Sequence, residues 1–427
     1  MTISAAPEAP VEVRLASERP LKAAIFHGRD PRSRASAARA ALGAGAEIVE
    51  TVGSDDARSF AELAQALRDA APTVVLASAR SAKDADGIRE SLEALRFGCA
   101  TRQPPPRVIA LAEPKLAERI RTAVRPFPFD AFVDAALVIG SLRSLRQRAD
   151  PEATLRDQLL EDAARSLAES AASDALVVDV SEAMTSCALA RADGTVEAVH
   201  AMGIGLGVAA DRVVARAGID RVRRWLPWPM DTPALLERVF NRARWLGAVP
   251  ASEVALAIEM ALAREAIGLA LREASDAGLS IAAMRAAPNV LVTGRAAAFP
   301  RAAQTLVVAL DGLQPTGIVN LWREPDDGRA ERVALVAPVT TRRSATLRLA
   351  HAAGREEQRV ARGTIVVAPL RGIVEISGAV RGFGDAGALG IVIDVRGRPI
   401  ALPHRDAERL PALGRWNAAL GVFSGPR

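Results

Sequence analysis

The order in which apolar patterns follow one another constrains this chain most strongly. From residue 21 to residue 140, short apolar runs alternate with stretches of helical periodicity, as in Leu21–Phe26 followed by Ser33–Leu42. Strands separated by helices of about ten residues are typical of βαβ units, which build a parallel sheet. We therefore predict a simplified parallel α/β domain over residues 21–150.

The pattern changes near residue 175. Ala175–Val180, Met184–Arg191 and Thr195–Ala201 are predicted strands, and Ala192-Asp193-Gly194 has the composition of a tight turn between the last two. Such an order gives an antiparallel meander and not another βαβ unit. Further helices and strands follow, and we predict a second α/β domain over residues 151–330.

Residues 331–427 show short apolar runs separated by Gly, Pro and Arg, and a helix over Ala407–Leu420 at the end. We predict a basic all-β domain with a C-terminal helix. The segment holds 15 Arg and 8 acidic residues, a local charge of +7, whereas the whole chain carries +5. Two interpretations stay open: a solvated domain in an Arg-rich chain, or a surface for an acidic partner. Aromatic residues do not interleave with the basic ones, so we expect no nucleic-acid partner.

Composition excludes several classes of protein. Half of the residues are hydrophobic, which excludes disorder of the whole chain, and Cys99 and Cys187 are the only cysteines, which excludes a disulfide framework. No apolar stretch is long enough to cross a membrane. Residues 1–20 are rich in Pro and Ala and have no hydrophobic core of a signal peptide, so we predict a disordered tail and a cytoplasmic protein.

The common chemical motifs are missing from the sequence. No Gly-Lys pair exists, so there is no P-loop lysine, and no Gly-x-Ser-x-Gly sequence marks a serine nucleophile. The four histidines lie far apart and have no metal-ligand spacing. Hydrolases and zinc sites of these kinds are therefore excluded.

A glycine-rich turn, Gly203-x-Gly205-x-Gly207, follows the meander and precedes a predicted helix. Glycines let a backbone approach an oxyanion closely, and a helix N-terminus offers unpaired N–H groups. The full dinucleotide-binding fingerprint is not present, because Val208 takes its sixth position. Phosphate binding and a tight strand–helix turn both remain open.

A second feature lies at the end of the first meander strand, where Asp179 is followed by Ser181, Thr185 and Ser186. Kinases and ATPases of the actin-like type hold metal and phosphate with an Asp at a strand end and nearby hydroxyls. An ordinary polar hairpin is the alternative interpretation.

Several blocks together resemble the MutL family associated with glutamate mutase, which is not the mismatch-repair protein of that name. The matching blocks are Arg224-Trp225-Leu226-Pro227, Asn241, Pro250, Glu259–Ala266, Leu310–Gly317 and Gly390–Pro399. The resemblance covers residues 175–420 well and the first 60 residues barely. It implies an actin-like (ribonuclease H-like) second half, related to sugar kinases and chaperone ATPases. It also implies that the protein acts on an adenosylcobalamin-dependent mutase, as its ATP-dependent chaperone or reactivator.

The resemblance also implies site residues. The nucleotide contacts would be Asp179, Ser181, Thr185, Gly203, Gly205, Gly207 and Gly294, with Asp179 holding the metal. The chain departs from the family pattern at three places. Nothing in residues 21–60 matches the N-terminal phosphate loop; Ser181 and Glu182 replace a Gly-Gly pair; and Arg295 replaces the second glycine of the adenosine motif.

Three functions follow from this. The first is a degenerate actin-like protein that binds or assembles a partner, without ATP hydrolysis and without a cofactor; the partner would be another protein, such as a cobalamin-dependent mutase, or a second copy. The second is a working chaperone that holds ATP with magnesium. The third is a flavodoxin-like ligand-binding enzyme domain in residues 21–140. We favour the first, because phosphoryl chemistry needs both halves of the clamp.

Overall fold

The computed structural model describes residues 21–149, 155–245, 249–325 and 328–423. The tail predicted over residues 1–20 lies outside the described residues. Within those ranges, none of the helices combines the length and the apolar character that crossing a bilayer requires.

The first sheet has five strands, and every neighbouring pair is parallel. The strands are β1 (Lys22–His27), β2 (Glu47–Gly53), β3 (Val74–Ser78), β4 (Arg107–Leu111) and β5 (Phe129–Phe132). Their order across the sheet is β2-β1-β3-β4-β5. Strand β3 is buried along its whole length, as expected for a parallel strand covered on both faces. The prediction of a parallel α/β first half is confirmed.

Helices connect these strands, and local sequence signals fix where two of them begin. The helices are α1 (Pro31–Gly43), α2 (Phe60–Ala70), α3 (Ala82–Gly87), α4 (Arg89–Gly98), α5 (Pro114–Ala123) and α6 (Ala135–Ala149). The carboxylate of Asp30 caps α1 and Pro31 stands at its first turn. Ser59 and Glu62 form a reciprocal capping box at the start of α2.

The remaining strands divide between two further sheets. They are β6 (Ala175–Val180), β7 (Met184–Ala190), β8 (Val196–Met202), β9 (Asn289–Gly294), β10 (Val319–Arg323), β11 (Glu331–Pro338), β12 (Ser344–His351), β13 (Gly354–Ala361), β14 (Ile365–Ala368), β15 (Ile373–Gly378), β16 (Gly382–Asp385) and β17 (Ile391–Asp394). The larger sheet has eight strands in the order β14-β17-β11-β10-β9-β6-β7-β8. In it, β6, β7 and β8 form the predicted antiparallel meander, and β9 and β10 continue parallel to β6.

The described residues 331–423 do not form a separate all-β domain, contrary to the prediction. Strand β11 pairs antiparallel with β10, and β17 and β14 extend the same sheet further. Only β12, β13, β15 and β16 stand apart, as a four-stranded antiparallel sheet. The physical reason is that β10 has an open edge whose backbone groups need partners, and β11 supplies them across a short connection.

The second half contains eight further helices among the described residues. They are α7 (Arg156–Ala171), α8 (Ala210–Ala217), α9 (Ile219–Arg223), α10 (Thr232–Arg244), α11 (Glu253–Asp276), α12 (Ile281–Ala286), α13 (Ala302–Leu313) and α14 (Asp406–Leu420). Helix α11 is buried on most of its surface and packs against α8 and α13. A helix that is buried nearly all round belongs in a core, and α11 is the central helix of this half.

One apolar core joins the first sheet to the eight-stranded sheet. Ile25 of β1, Leu42 of α1, Leu176 of β6 and Val199 of β8 belong to the same buried cluster. Arg143 of α6 reinforces this contact, because its guanidinium donates to the carbonyl of Gly43 at 2.7 Å and to the carboxylate of Asp157 at 3.1 Å. The two halves therefore share one apolar core and pack directly against each other.

Candidate functional site

The carboxyl ends of β6 and β9 bring two of the predicted site residues together. The parallel register pairs Asp179 with Thr293 and Val180 with Gly294. The Thr293 hydroxyl donates to Asp179 Oδ1 at 2.8 Å. Gly294 has φ +68°, and a Cβ built there would lie 2.7 Å from both Asp179 Oδ1 and the Val180 carbonyl oxygen. Only glycine fits this approach of backbone to carboxylate.

The carboxylate of Asp179, predicted as the metal ligand, is held by an arginine. Asp179 is completely buried, and Arg156 donates to it through Nη2 at 2.5 Å and Nε at 3.2 Å. This fork geometry engages both carboxylate oxygens and neutralises their charge. Among the described residues, no group of three or more His, Cys, Asp and Glu side chains is arranged to hold a metal ion. Asp179 therefore serves as one partner of a buried ion pair.

The predicted phosphate loop packs against the meander turn. The backbone N–H of Gly203 donates to the carbonyl of Ala183, that of Leu206 to Ser181, and that of Gly207 to Glu182, at 2.8–2.9 Å. A Cβ at Gly205 would lie 2.5 Å from the Glu182 carbonyl oxygen. The glycines thus allow a close turn, and these three amides face the chain's own carbonyl groups.

The hydroxyls predicted for the site are also engaged within the chain. Ser181 Oγ donates to the carbonyl of Met184 at 3.0 Å, next to the turn. Thr185 Oγ1 is buried and donates to the carbonyl of Ile204 at 2.8 Å. The Thr185 side chain thus connects the meander to the glycine-rich loop, whereas the Ser181 side chain closes the turn of the meander itself.

The side chain of Glu182 fills the space that Gly207 leaves open. A Cβ at Gly207 would lie 1.4 Å from Glu182 Oε2. Two cations balance the carboxylate: Arg295 donates to Oε1 at 2.6 Å and Arg242 at 3.3 Å. Arg295 also donates to Glu259 at 2.8 Å, so the cluster continues into α11. An anionic side chain and its counter-ions thus stand where the family resemblance expects glycines and phosphate.

A cavity of about 330 Å³ opens beside this cluster, between α10 and α11. Arg242 and Glu259 line its polar side, and Ile258, Leu262 and Trp245 belong to its apolar side. Burial raises the pKa of Glu259 above the ordinary value, although Arg295 and Arg242 oppose that effect. Its Oε2 has no hydrogen-bond partner among the described residues. A mostly apolar pocket with a few convergent polar groups has the character of a ligand site.

The first sheet has its own expected ligand position, at the carboxyl ends of β1 and β3 where the strand order reverses. Asp84 occupies it. Its carboxylate accepts from the backbone N–H groups of Arg29 at 3.1 Å and Arg80 at 3.3 Å. A Cβ at Gly28 would lie 2.2 Å from the Asp84 Cγ. Backbone amides that would bind an anionic ligand in a flavodoxin-like domain here bind a carboxylate of the chain.

The blocks that carry the family resemblance meet in a buried ion network. Arg264 of α11 donates to Asp311 of α13 at 2.8 Å, and Arg396 reaches the other oxygen of that carboxylate at 2.7 Å. Arg396 and Arg398 also pair with Asp394, each at 2.8 Å. Arg396 and Arg398 belong to the segment with the +7 charge, and because both are mostly buried, these two side chains do not face an acidic partner.

The charged side chains around the ends of β6 and β9 form a strand-end cluster, which comprises Arg156, Asp179, Glu182, Arg242, Glu259 and Arg295. The sequence did not identify Arg156, Arg242 and Glu259 as site residues. One signal was available for Arg156, which stands at the first position of α7. A basic residue at the positive end of a helix dipole is unfavourable unless it has an acidic partner. The partner of Arg156 is 23 residues away, and no local pattern identifies it.

Comparisons with known proteins do not identify a family for this chain. No protein-family model matches the chain, and no curated protein matches it. A carbohydrate kinase from Novosphingobium aromaticivorans, seen in a crystal structure, is similar over 52% of this chain and 55% of that chain, with 17% identity and a TM-score of 0.22. The match thus spans little more than half of that kinase, and a similarity this low carries no argument about fold or function.

Proposed function

We propose that this chain is a binding or assembly protein on a degenerate actin-like fold, without ATP hydrolysis. The order of the second half supports the actin-like assignment: a meander with an Asp at its first hairpin, then a glycine-rich turn and a helix, then β9 and β10 beside β6. The convergence of the family-matching blocks on one network supports a relation to the MutL family of glutamate mutase.

The observation that carries the proposal is the occupation of the phosphate positions by the chain itself. Asp179 is neutralised by Arg156, and Glu182 lies against Gly207. A triphosphate approaching Glu182 would meet a like charge in a partly buried site and would also have to displace two ion pairs. Phosphoryl transfer depends on positioning and charge neutralisation, and neither is available in this arrangement.

The partner that fits such a protein is another protein, for example a cobalamin-dependent mutase or a second copy of the chain. A scaffold of this kind would bind a partner with little loss of conformational entropy if its surface is ordered beforehand.

Nucleotide titration tests the proposal. We expect calorimetry with ATP and magnesium to show no affinity tighter than about 1 mM, and phosphate release to stay at the level of buffer. The variant Glu182→Gly opens the cradle at Gly207, and a gain of nucleotide affinity in this variant alone would identify Glu182 as the obstacle. Tight binding with magnesium-dependent turnover by the natural chain would overturn the proposal.

The second candidate is an ATP-gated chaperone. The cavity between α10 and α11 favours it, because this cavity stays open beside the filled phosphate positions. If Asp179→Ala left a measurable nucleotide affinity unchanged, this candidate would be excluded.

A further inference from the structure

A cleft of about 730 Å³ lies between α9 with the loop that follows it and the segment that leads into α14. It shares no lining residue with the strand-end cluster or with the cavity between α10 and α11. Four arginines line it: Arg221, Arg223, Arg224 and Arg409. Guanidinium groups from two distant parts of the chain therefore meet at one surface.

The acidic groups at the cleft are already used. Glu265 is buried beneath it, and its two oxygens accept from Arg224 at 2.9 Å and from Trp225 Nε1 at 2.8 Å, and pair with Arg221 at 3.2 Å. Asp231 accepts from the backbone N–H of Ala234 and caps α10. Both oxygens of Glu265 are therefore engaged, whereas Asp231 is engaged through Oδ1.

The other two acids of the cleft pair on the exposed side. Asp220 binds Arg223 at 2.6 Å with its own side chain 77% exposed, and Asp406 binds Arg409 at 2.9 Å with 57% exposed. Pairs with so exposed a carboxylate are worth little, because water screens them. A ligand anion can replace either pair at small cost.

Within the part of the chain that the structure describes, two guanidinium groups at the cleft each have one N–H donor without a partner. Nε of Arg224 and Nε of Arg409 are buried and have no hydrogen-bond partner among the described residues. Arg409 as a residue is 94% buried, since only 6% of its surface is exposed. The lining carries four arginines against the three aspartates Asp220, Asp231 and Asp406, a surplus of one positive charge.

The arginines are also held in place before any ligand binds. The guanidinium of Arg224 stacks over the ring of Trp225 at 4.9 Å, and Arg223 donates to Thr232 at 3.3 Å in addition to its ion pair. A planar guanidinium with a fixed orientation presents paired N–H groups that match the oxygens of a phosphate or a carboxylate.

From this geometry we propose that the cleft binds a small metabolite through an oxyanion group, a phosphate monoester or a carboxylate. The volume of the cleft is within the range of small-molecule sites, about 300–1,000 Å³, and leaves room for a body beyond the anionic group. Met230 and Leu402 line the same cleft and offer apolar surface to that body. The inference is independent of the proposed function and of the strand-end cluster.

Titration calorimetry and thermal unfolding of the full chain test it, with sodium chloride balancing the ionic strength. The probes are inorganic phosphate, ribose 5-phosphate and succinate, and neutral ribose is the control ligand. We expect at least one of the anions to bind with one-to-one stoichiometry and to raise the melting temperature, whereas ribose has no effect. Tighter binding of ribose 5-phosphate than of phosphate assigns a phosphorylated metabolite, and tighter binding of succinate assigns a carboxylate.

Two variants and a matched control complete the test. Arg223→Gln and Arg221→Gln change partly exposed side chains, and each should weaken anion binding at least tenfold while the far-UV spectrum stays unchanged. Arg119→Gln removes an exposed arginine that pairs with Asp86 in the first half, and it should bind as the natural chain does. Equal losses in all three variants, or no anion effect beyond that of sodium chloride, would overturn the proposal.

Discussion

Replacing Arg156 by methionine tests whether the ion pair with Asp179 belongs to the architecture of the second half. Methionine keeps an unbranched apolar stem but removes the guanidinium group and its charge. Asp179 is completely buried, so the variant leaves its carboxylate without its cation. Breaking a buried pair from one side costs about 3–5 kcal/mol. Because the Arg156 side chain is 33% exposed, water can relieve part of that penalty, and we expect about 3 kcal/mol.

A double-mutant cycle separates the pair from its surroundings. Asp179→Asn keeps an oxygen for the Thr293 hydroxyl, and it should cost about 1–2 kcal/mol. The double variant should lose less than the two single changes together, with a coupling of about 2 kcal/mol, because the second change removes the buried charge that the first one exposes. The measurement is urea unfolding at pH 7, followed by far-UV circular dichroism.

The control for this cycle lies in the same helix. Arg165 pairs with Asp162, and the two side chains are 40% and 67% exposed. Arg165→Met should change the free energy of unfolding by no more than about 0.5 kcal/mol. If Arg156→Met were no more costly than Arg165→Met, or if the cycle were additive, the reasoning about Asp179 would be wrong.

Three further predictions concern Gly207, Asp394 and Cys187. Gly207→Ala places a Cβ 1.4 Å from Glu182 Oε2 and should cost about 1–3 kcal/mol in urea unfolding, and Glu182→Ala in the same chain should restore most of the loss. Burial alone would raise the pKa of Asp394, but Arg396 and Arg398 outweigh it and hold that pKa well below its ordinary value. The ionised Asp394 carboxylate therefore stabilises the fold fully above the unfolded-state pKa of about 3.9, and this stabilisation is lost as pH falls below that value. Between pH 7 and pH 3, the free energy of unfolding should fall more steeply in the natural chain than in Asp394→Asn. Parallel profiles of the two chains would contradict this. Burial raises the pKa of the Cys187 thiol to about 12, so a thiol reagent at pH 8 should label it only after unfolding, as followed by mass spectrometry; labelling at the rate of a free thiol would show that the site is open.

The places where ligands were expected share one property: the chain fills them with its own charged side chains. Asp84 accepts from two backbone amides at the reversal point of the first sheet. Glu182 lies in the cradle of the glycine-rich loop, and Arg156 stands against Asp179 where a metal was predicted. Internal groups of this kind stabilise the fold and compete with any ligand for the same donors and acceptors. This is the physical basis for proposing a binding protein and not an ATPase.

Local patterns predicted the elements well. Hydrophobic periodicity and turn composition depend on residues that are close together in the sequence. The alternating first half, the meander with its turn, and the C-terminal helix could therefore all be predicted from the sequence. The strand bounds of the meander differ from the prediction by no more than one residue. Asp179 and Gly294 lie at neighbouring strand ends because β6 and β9 pair in parallel, and the sequence grouped the two residues only through the family resemblance.

Only the tertiary structure decided which strands share a sheet and which charges meet. Strand β11 pairs with β10 because the open edge of β10 needs backbone hydrogen-bond partners. No residue type in β11 indicates which strand it will pair with. Arg396 reaches Asp311 across 85 positions, and Arg295 reaches Glu182 across 113. Such pairs depend on how packed elements place side chains, and the desolvation of each charge depends on everything around it. The sequence alone therefore determined the inventory of elements and the candidate strand ends, whereas three-dimensional packing determined that those strand ends are occupied.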